Sequence, residues 1–257
     1  MFKFESPVFV HKNILKKNML DELRDYPLAI SRMMLAGYGS GVLTGTEITW
    51  EDNVLKIQPG LISYGGNIYR MENTWEMDCP PTDRLTYINV RFVTMDYERD
   101  QMGGIGEIFL SEDMAEHNGI ELGRFRLQEG ARLRTEYENF EDYRTEFDTV
   151  NRIHMPYICP GGTGLWPVLL EEYALELLAT GTNNPYDITL AMQLLGTGGQ
   201  ASAKLLEWYV AGNKEQRMTQ LTNGQLYDEL LHILRERKTG NSGFTKPQKG
   251  TRQMILI

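Results

Sequence analysis

The residues that most often carry catalysis or metal binding are few in this sequence and scattered along it. The histidines and cysteines are His11, His117, His154, His232, Cys79 and Cys159. No histidine is spaced from another histidine or from a cysteine as metal ligands on one helix are. Two cysteines are too few for a disulfide framework or a four-cysteine site. We therefore predict no metal site, and two reduced, partly buried thiols.

Two glycine-rich stretches resemble phosphate-binding loops at first sight. Residues 196–204, GTGGQASAK, lack the closing Gly-Lys-Ser/Thr and follow a predicted helix rather than a strand. Residues 37–41, GYGSG, lack the spacing of a dinucleotide-binding loop. A nucleophile elbow of the Gly-x-Ser-x-Gly form is also missing from the sequence. We predict turns at both glycine-rich stretches, no cofactor and no enzymatic activity.

Acidic residues are dense between 129 and 150, in the stretch EGARLRTEYENFEDYRTEFDTV. A glycoside hydrolase needs two carboxyl groups that flank a sugar, one of them with a raised pKa. A run of charge is more often a solvated face, and we predict that role here. The aromatic residues of this stretch lie three or four positions apart, which predicts one helical face packed on a neighbour. They are Tyr137, Phe140, Tyr143 and Phe147.

Residues 151–167, NRIHMPYICPGGTGLWP, allow two interpretations. They could form an active-site loop around His154. They could instead form a stiff elbow between two modules, with Tyr157 and Trp166 wedged between them. We favour the elbow, because prolines stiffen a linker and His154 has no nucleophile beside it.

Composition restricts the possible partners. Asp and Glu number 35 against 26 Lys and Arg, a net charge of −9, which disfavours nucleic-acid binding. No window approaches the roughly 18 continuous apolar residues of a membrane span, so we predict no membrane insertion. The first residues, MFKFESPVFVHKN, lack the apolar core of a secretory signal, so we expect folding and assembly in a cytoplasm.

Hydrophobic periodicity divides the chain into five segments. They are an arm and two short helices divided near Pro27 (1–37), a β-rich domain (38–128), a connector and elbow (129–166), a helical domain (167–239) and an extended tail (240–257). The predicted class is therefore α+β, with a small antiparallel β-sandwich or barrel followed by an α-helical C-terminal domain. Gly65-Gly66 predicts a hairpin turn, and Thr222 with Gln225 predicts a capping box.

One stretch supports a family resemblance. Residues 37–71 read GYGSGVLTGTEITWEDNVLKIQPGLISYGGNIYRM. They resemble the N-terminal part of tail-fibre and baseplate attachment proteins of contractile-tailed bacteriophages and R-type bacteriocins. The matching positions are Gly41, Gly45, Ile57, Pro59, Gly60, Gly65, Gly66, Ile68 and Tyr69. Beyond residue 150, NRIHMPY and the helical part look similar to proteins of Gram-positive contractile tails.

The resemblance implies a structural component of a phage or bacteriocin tail baseplate, present in several copies per particle. It would link the baseplate to a tail fibre or a neighbouring ring by protein–protein contacts, and it would remain part of the virion or bacteriocin particle. The candidate partner-binding residues are Phe2, Phe4, Val8, Val10, Tyr64, Tyr69, Phe244, Met254, Ile255, Leu256 and Ile257. The alternative is a baseplate protein that binds carbohydrate or cleaves cell-wall glycan, with Tyr64, Tyr69, Trp75 and Tyr87 as sugar-stacking rings.

Overall fold

The computed structural model describes residue 14 and residues 16–97, 101–114, 119–214 and 220–240. The α-helices in these ranges are α1 (Lys17–Met34), α2 (Pro167–Ala179), α3 (Pro185–Gly196), α4 (Ala203–Lys214) and α5 (Asn223–Lys238). The strands are β1 (Gly41–Gly45), β2 (Ile48–Glu51), β3 (Val54–Ile57), β4 (Gly60–Tyr64), β5 (Asn67–Met71), β6 (Trp75–Asp78), β7 (Leu85–Tyr97), β8 (Gln101–Ser111), β9 (Gly119–Arg126), β10 (Tyr157–Cys159) and β11 (Gly162–Gly164). The protein is α+β, as predicted.

The strands form three open sheets. Their orders are β11-β10-β1-β4-β5, β2-β3-β6 and β8-β7-β9. Every pairing is antiparallel except that of β1 with β10. The sheets enclose one apolar cluster, whose fully buried members include Val42, Leu55, Ile57, Ile88 and Leu122. The sequence left a barrel open as an alternative, and the strand orders show sheets that do not close.

The turns of the sheets follow the glycines and the Asx residues. Gly65 and Gly66 both have positive φ, 57° and 77°, and join β4 to β5 in the predicted hairpin. Asp52 and Asn53 do the same between β2 and β3, with φ of 50° and 64°. Two-residue turns with positive φ match the twist of the flanking strands, which is why Gly and Asn are favoured there. The hairpin prediction is confirmed.

The prediction of two short N-terminal helices divided near Pro27 is wrong. A single helix, α1, runs from Lys17 to Met34 with Pro27 inside it. Proline cannot donate the hydrogen bond that the carbonyl of Leu23 would otherwise accept. The residues on either side are mostly good helix formers, so the helix continues past this one missing bond.

The predicted helical face between 129 and 150 is also wrong, apart from a short 3-10 helix at Phe140–Arg144. The rest of this segment is irregular. It forms isolated β-bridges, from Phe147 to Arg126 at the end of β9 and from Thr149 to Arg134 within the segment. Phe140 and Tyr143 are buried, whereas Phe147 is 57% exposed. Tertiary pairing therefore overrides the helical spacing of the aromatic residues.

The elbow segment contributes strands that the sequence did not indicate. β10 pairs with β1 in parallel at Val42↔Tyr157, and β11 pairs with β10. Tyr157 also donates its hydroxyl to the Leu43 carbonyl at 2.7 Å. Three-residue strands carry too little periodicity to be recognised, so this part of the sheet was missed.

The helical module consists of α2 to α5 around its own apolar cluster. Its fully buried members include Leu170, Tyr173, Leu177, Leu194, Leu206 and Leu230. The helix starts follow local sequence signals: Pro167 lies in the first turn of α2, and the Asn184 side chain accepts from the Tyr186 backbone N–H. The capping box of Thr222 and Gln225 at α5 is confirmed.

Trp166 packs against both apolar clusters. The guanidinium of Arg152, a buried residue, lies 4.3 Å from the centroid of the Trp166 ring. Arg152 also donates to the Thr46 carbonyl at 3.1 Å. A cation on an indole face within this distance is a stabilising contact. Trp166 thus joins the sheets to the helices. Among the described residues, no helix is long and apolar enough to cross a membrane.

Candidate partner-binding surfaces

Two of the predicted partner-binding residues, Tyr64 and Tyr69, fall in the part of the chain that the structure describes. The others, Phe2, Phe4, Val8, Val10, Phe244, Met254, Ile255, Leu256 and Ile257, lie outside the described residues. Tyr64 is at the end of β4 and Tyr69 is in the middle of β5, so the hairpin brings them near each other. Both are partly buried.

Both tyrosines pack on the same ring. Tyr64 stacks on Phe92 with centroids 4.1 Å apart and planes 11° apart, and Tyr69 meets Phe92 at 4.7 Å with a 57° tilt. Phe92 belongs to the sheet core. Offset and tilted aromatic contacts of this kind stabilise a core beyond the area they bury. One face of Tyr64 is therefore used in packing the hairpin on β7.

A cleft of about 1090 Å³ lies between β5 and β8. Its lining includes the buried residues Ile62, Val90, Phe92 and Leu122 and the partly exposed Ile68, Trp75 and Ile105. Trp75 is 50% exposed. Large apolar side chains that gather in one concave place on a surface are typical of a binding site.

Two glycines of β8 open this cleft. Gly104 and Gly106 occupy alternate positions of the strand, so they share the face that looks at Phe92. A Cβ at Gly104 would lie 2.7 Å from the Tyr69 hydroxyl, and one at Gly106 would lie 3.2 Å from the Phe92 ring. The absence of side chains at these two positions allows Tyr69 to approach β8 and leaves the adjoining space open.

The rim of the cleft carries arginines. Arg91 is paired with Glu107 at 2.6 Å, and Arg70 is paired with Glu72. Arg32, from the last turn of α1, reaches the Asn67 side-chain oxygen at 3.4 Å. Among the described residues, no carboxylate lies within 4 Å of Arg32. The cleft therefore combines an apolar lining with an arginine at its edge that can bind an anionic group.

A second candidate surface is the apolar stripe of α1, defined here as Met19, Leu23, Tyr26, Ile30 and Met33. These positions are spaced by four, three, four and three, which is the spacing of a helix–helix seam. None of the 18 residues of α1 is buried. Leu23 is 47% exposed, Ile30 is 40% exposed and Met33 is 76% exposed. Within the described residues, Leu23, Ile30 and Met33 of this stripe are therefore exposed, whereas Met19 and Tyr26 are partly buried.

The sequence did not lead us to predict this stripe as a binding surface. The helix break that we predicted near Pro27 concealed the regular spacing of the apolar residues on its two sides. Once α1 is continuous, Ile30 and Met33 extend the spacing begun by Met19 and Leu23 over more than two heptads. The spacing itself was present in the sequence and could have been found.

The titratable residues outside these surfaces show structural roles. Burial lowers the pKa of His154 to about 4, so its imidazole is neutral at pH 7. Burial also raises the pKa of Cys79 to about 11 and keeps its thiol protonated, which makes it a poor nucleophile. Among the described residues, no group of three or more His, Cys, Asp or Glu side chains could hold a metal ion.

Two carboxylates of the acidic connector, Asp142 and Glu141, form ion pairs with arginines. A hydrogen bond from Arg134 lowers the pKa of Asp142, and one from Arg235 lowers the pKa of Glu141. Glycoside hydrolysis needs the opposite shift in one of its two carboxyl groups. These two carboxylates therefore anchor the connector, and Glu141 ties it to α5 through Arg235.

Among the buried polar groups, Asp187 has the densest set of partners. It accepts from Arg237 Nε at 2.6 Å, from the Tyr209 hydroxyl at 2.9 Å and from the Thr182 hydroxyl at 2.7 Å. Its side chain is fully buried and that of Arg237 is 6% exposed. Tyr173 donates to the Tyr209 hydroxyl and closes the network. The cluster ties α3, α4 and α5 together.

No family model matches the chain, and no curated protein matches it either. Among solved structures, it is similar to a chain of the type VI secretion system TssK-TssF-TssG baseplate subcomplex. The identity is 11% and the TM-score 0.40, over 92% of this chain and 100% of that one. It is also similar to a crystal structure of TssK, with 10% identity and a TM-score of 0.37, over 91% of this chain and 69% of that one. At these values neither likeness carries an argument about fold or function.

Proposed function

We propose that this protein is a non-enzymatic structural subunit of the tail baseplate of a phage or R-type bacteriocin. It would link the baseplate to a tail fibre or to a neighbouring ring, in several copies per particle. The observation that carries the proposal is the exposure of Leu23, Ile30 and Met33 in the apolar stripe of α1. The sequence resemblance of residues 37–71 to attachment proteins of such particles supports the same role.

The physical argument concerns apolar surface. An amphipathic helix in a protein that acts alone normally turns its apolar face to the core. α1 does not, although α5 of the same chain does. The seam spacing of the stripe fits an apolar helix of a neighbouring subunit as its occupant, because seam residues insert between the side chains of a facing helix. Such a contact would join subunits without any catalytic residue.

The proposal is tested by locating the protein in purified particles. We expect an epitope-tagged copy to co-purify with contractile tails and to be labelled at the baseplate end in electron micrographs. A chain lacking residues 240–257 should fold normally, because the buried residues that the structure describes lie between Gly41 and Leu234. We expect this truncation to fail in assembly, since its removed apolar end is a predicted docking segment. Normal incorporation would refute the docking role of the tail, and absence of the tagged protein from the particles would refute the function itself.

Carbohydrate binding is a second candidate because of Trp75. Its half-exposed indole lies in the cleft with Tyr69, and an exposed indole can stack on a sugar. Of the other predicted sugar-stacking rings, Tyr64 is covered by Phe92, and Tyr87 has the Arg124 guanidinium 4.9 Å from its centroid. A glycan array probed with the folded protein tests this candidate, with Trp75→Ala as the control. Binding that Trp75→Ala abolishes would favour it over a purely structural role.

A further inference from the structure

The cleft between β5 and β8 is bounded by the edges of two strands. Five consecutive residues of β5, 67–71, and seven consecutive residues of β8, 103–109, line it. Side chains of a strand alternate between its two faces, so a cleft that met only one face would be lined by every second residue. The unbroken runs therefore indicate that the backbone edge of each strand faces the cleft.

Both edges are open in the part of the chain that the structure describes. β5 is the last strand of the five-stranded sheet and β8 is the last strand of a three-stranded sheet, and each pairs with one neighbour. The N–H and C=O groups of such an edge can bind an extended peptide as a further strand. A glycan lacks the backbone repeat that fits these groups. The two edges therefore favour a peptide as the ligand.

The edge of β8 is the more accessible of the two. Its lining residues include Gly103, Gly104 and Gly106, which place no side chain between the backbone and the cleft. A strand added here keeps the alternation of β8, so every second side chain points to the apolar base, as Gly104 and Gly106 do. The buried residues of that base include Ile62, Val90, Phe92 and Leu122. Large apolar side chains at every second position of the peptide would therefore be buried.

The charge of the lining is opposite in sign to the charge of the chain. The lining has three arginines, Arg32, Arg70 and Arg91, against one carboxylate, Glu107, whereas the chain as a whole has a net charge of −9. Arg70 and Arg91 are held in ion pairs with glutamates. Arg32 instead donates to a neutral side-chain oxygen at 3.4 Å. Electrostatic complementarity therefore favours an acidic ligand, with Arg32 as the residue that pairs with its carboxylate.

We propose that the cleft binds an extended acidic peptide of a partner protein as an added strand on the edge of β8. Apolar side chains at every second position of the peptide enter the base of the cleft, and an acidic side chain pairs with Arg32. The inference goes beyond the proposed function, because it concerns a different surface. Arg32 lies about 140° around α1 from the centre of the apolar stripe, so a subunit on the stripe and a peptide in the cleft do not compete for it.

Selection from a displayed library of random eight-residue peptides tests the recognition. The target is the isolated full chain. We expect the enriched peptides to carry apolar residues at every second position and more acids than bases. A labelled synthetic copy of the most enriched peptide should then bind saturably in fluorescence anisotropy. The proposal is overturned if no peptide is enriched, or if the enriched peptides are basic or lack the alternation.

Charge reversal tests whether the selected peptide binds in the cleft. Arg32→Glu should weaken binding at least about tenfold, and a peptide in which lysine replaces the acid should recover binding to this variant. The matched control is Arg24→Glu, the same change on the same helix at a residue outside the lining. It should leave binding unchanged. Equal effects of the two substitutions would place the peptide elsewhere and overturn the proposal.

Methylation of single backbone nitrogens in the peptide tests strand addition itself. In an added strand, every second N–H donates to the edge of β8 and the others point away from it. We expect methyl groups at one alternate set of nitrogens to weaken binding at least about tenfold and those at the other set to have little effect. Equal tolerance at all positions would contradict an added strand.

A glycan as the occupant is a distinct outcome. If no peptide is enriched and a glycan binds in a way that Trp75→Ala abolishes, the cleft is a sugar site and the proposal fails. All these measurements use the isolated protein. Their results do not depend on whether the protein is found in contractile tails, so the failure of this inference and the failure of the proposed function can be told apart.

Discussion

Helices α1 and α5 both have regularly spaced apolar residues, but only α5 buries them. α5 buries its stripe in the helical core, through Leu226, Tyr227, Leu230, Leu231, Ile233 and Leu234. α1 buries none of its residues, although its apolar positions are as regularly spaced. The starts of the helices differ too, because α5 has a capping box and Lys16 offers α1 no side-chain cap. A periodic apolar stripe thus predicts that a helix face packs against something. It does not predict whether the partner is the core of the same chain or another subunit.

The largest contrast between the two helices should come from their ion pairs. Asp187→Ala leaves Arg237 of α5 as a buried charge without its carboxylate, and we expect a loss of about 3–5 kcal/mol of unfolding free energy. Asp25→Ala removes the exposed partner of Arg24 on α1 and should leave the urea midpoint unchanged. Urea denaturation followed by circular dichroism measures both. Equal destabilisation by the two substitutions would contradict the contrast.

A matched leucine pair sharpens the comparison. Leu230→Ala opens a cavity in the helical core, where Leu230 is fully buried, and should cost about 2–5 kcal/mol. Leu23→Ala removes the same atoms from a side chain that is 47% exposed, and should cost no more than about 0.5 kcal/mol in the isolated protein. A large effect at Leu23 would show that something in the isolated chain covers the α1 stripe.

Acid should lower the free energy of unfolding through protonation of His154. Its folded pKa of about 4 lies below its ordinary value of 6.5, because burial and the charge of Arg124 oppose protonation, whereas Glu146 and Asp228 partly offset them. Between these two pH values the unfolded chain binds more protons. The stability contributed by the neutral imidazole is therefore complete above pH 6.5 and is lost as the pH falls to 4.

The check on His154 is a substitution that cannot titrate. We expect wild type to lose about 1–2 kcal/mol more than His154→Gln between pH 7 and pH 4, allowing for partial exposure of the ring. Urea midpoints across this range give the difference, and carboxyl groups common to both proteins cancel. Parallel pH profiles would show that His154 does not contribute.

The smallest contrast concerns the helix starts. Thr222→Ala removes the side chain that accepts from the Gln225 backbone N–H at the start of α5, and should cost about 1 kcal/mol. Lys16→Ala removes no such bond at α1 and should leave stability unchanged. Thermal unfolding of both variants is sufficient to see the difference. A destabilised Lys16→Ala would reveal a cap at α1 that the described contacts lack.

Much of the fold could be predicted from local signals. The Gly65-Gly66 hairpin, the Asn184 cap and the box at Thr222 each depend on a few neighbouring residues, and each is present in the structure. Long-range pairing was not predictable. β10 joins β1 across more than a hundred residues, and nothing in its three residues indicates that partner. The continuity of α1 through Pro27 was missed because helix propensity on both sides outweighed one lost hydrogen bond.

The candidate site was only partly accessible from sequence. Tyr64 and Tyr69 were named from their position in the hairpin, and the structure shows them packed on Phe92 beside the cleft. The cleft itself depends on Gly104 lying against Tyr69 of another sheet and on Gly106 pairing with Phe92 of the adjacent strand, and no local pattern contains either relation. Arg32 enters the cleft from α1 for the same reason, since only the fold places that helix end beside β5.

Incorporation of α1 variants into particles tests the central claim that the apolar stripe of α1 is an assembly surface. The test variant is Leu23→Glu with Ile30→Glu, and the matched control is Asn18→Glu with Ala29→Glu, which adds the same charge about 90° around the same helix, outside the stripe. Both proteins should fold with wild-type stability. We predict that the control enters purified contractile tails at the wild-type level and that the stripe variant is lost from them. Equal incorporation of the two would contradict the account.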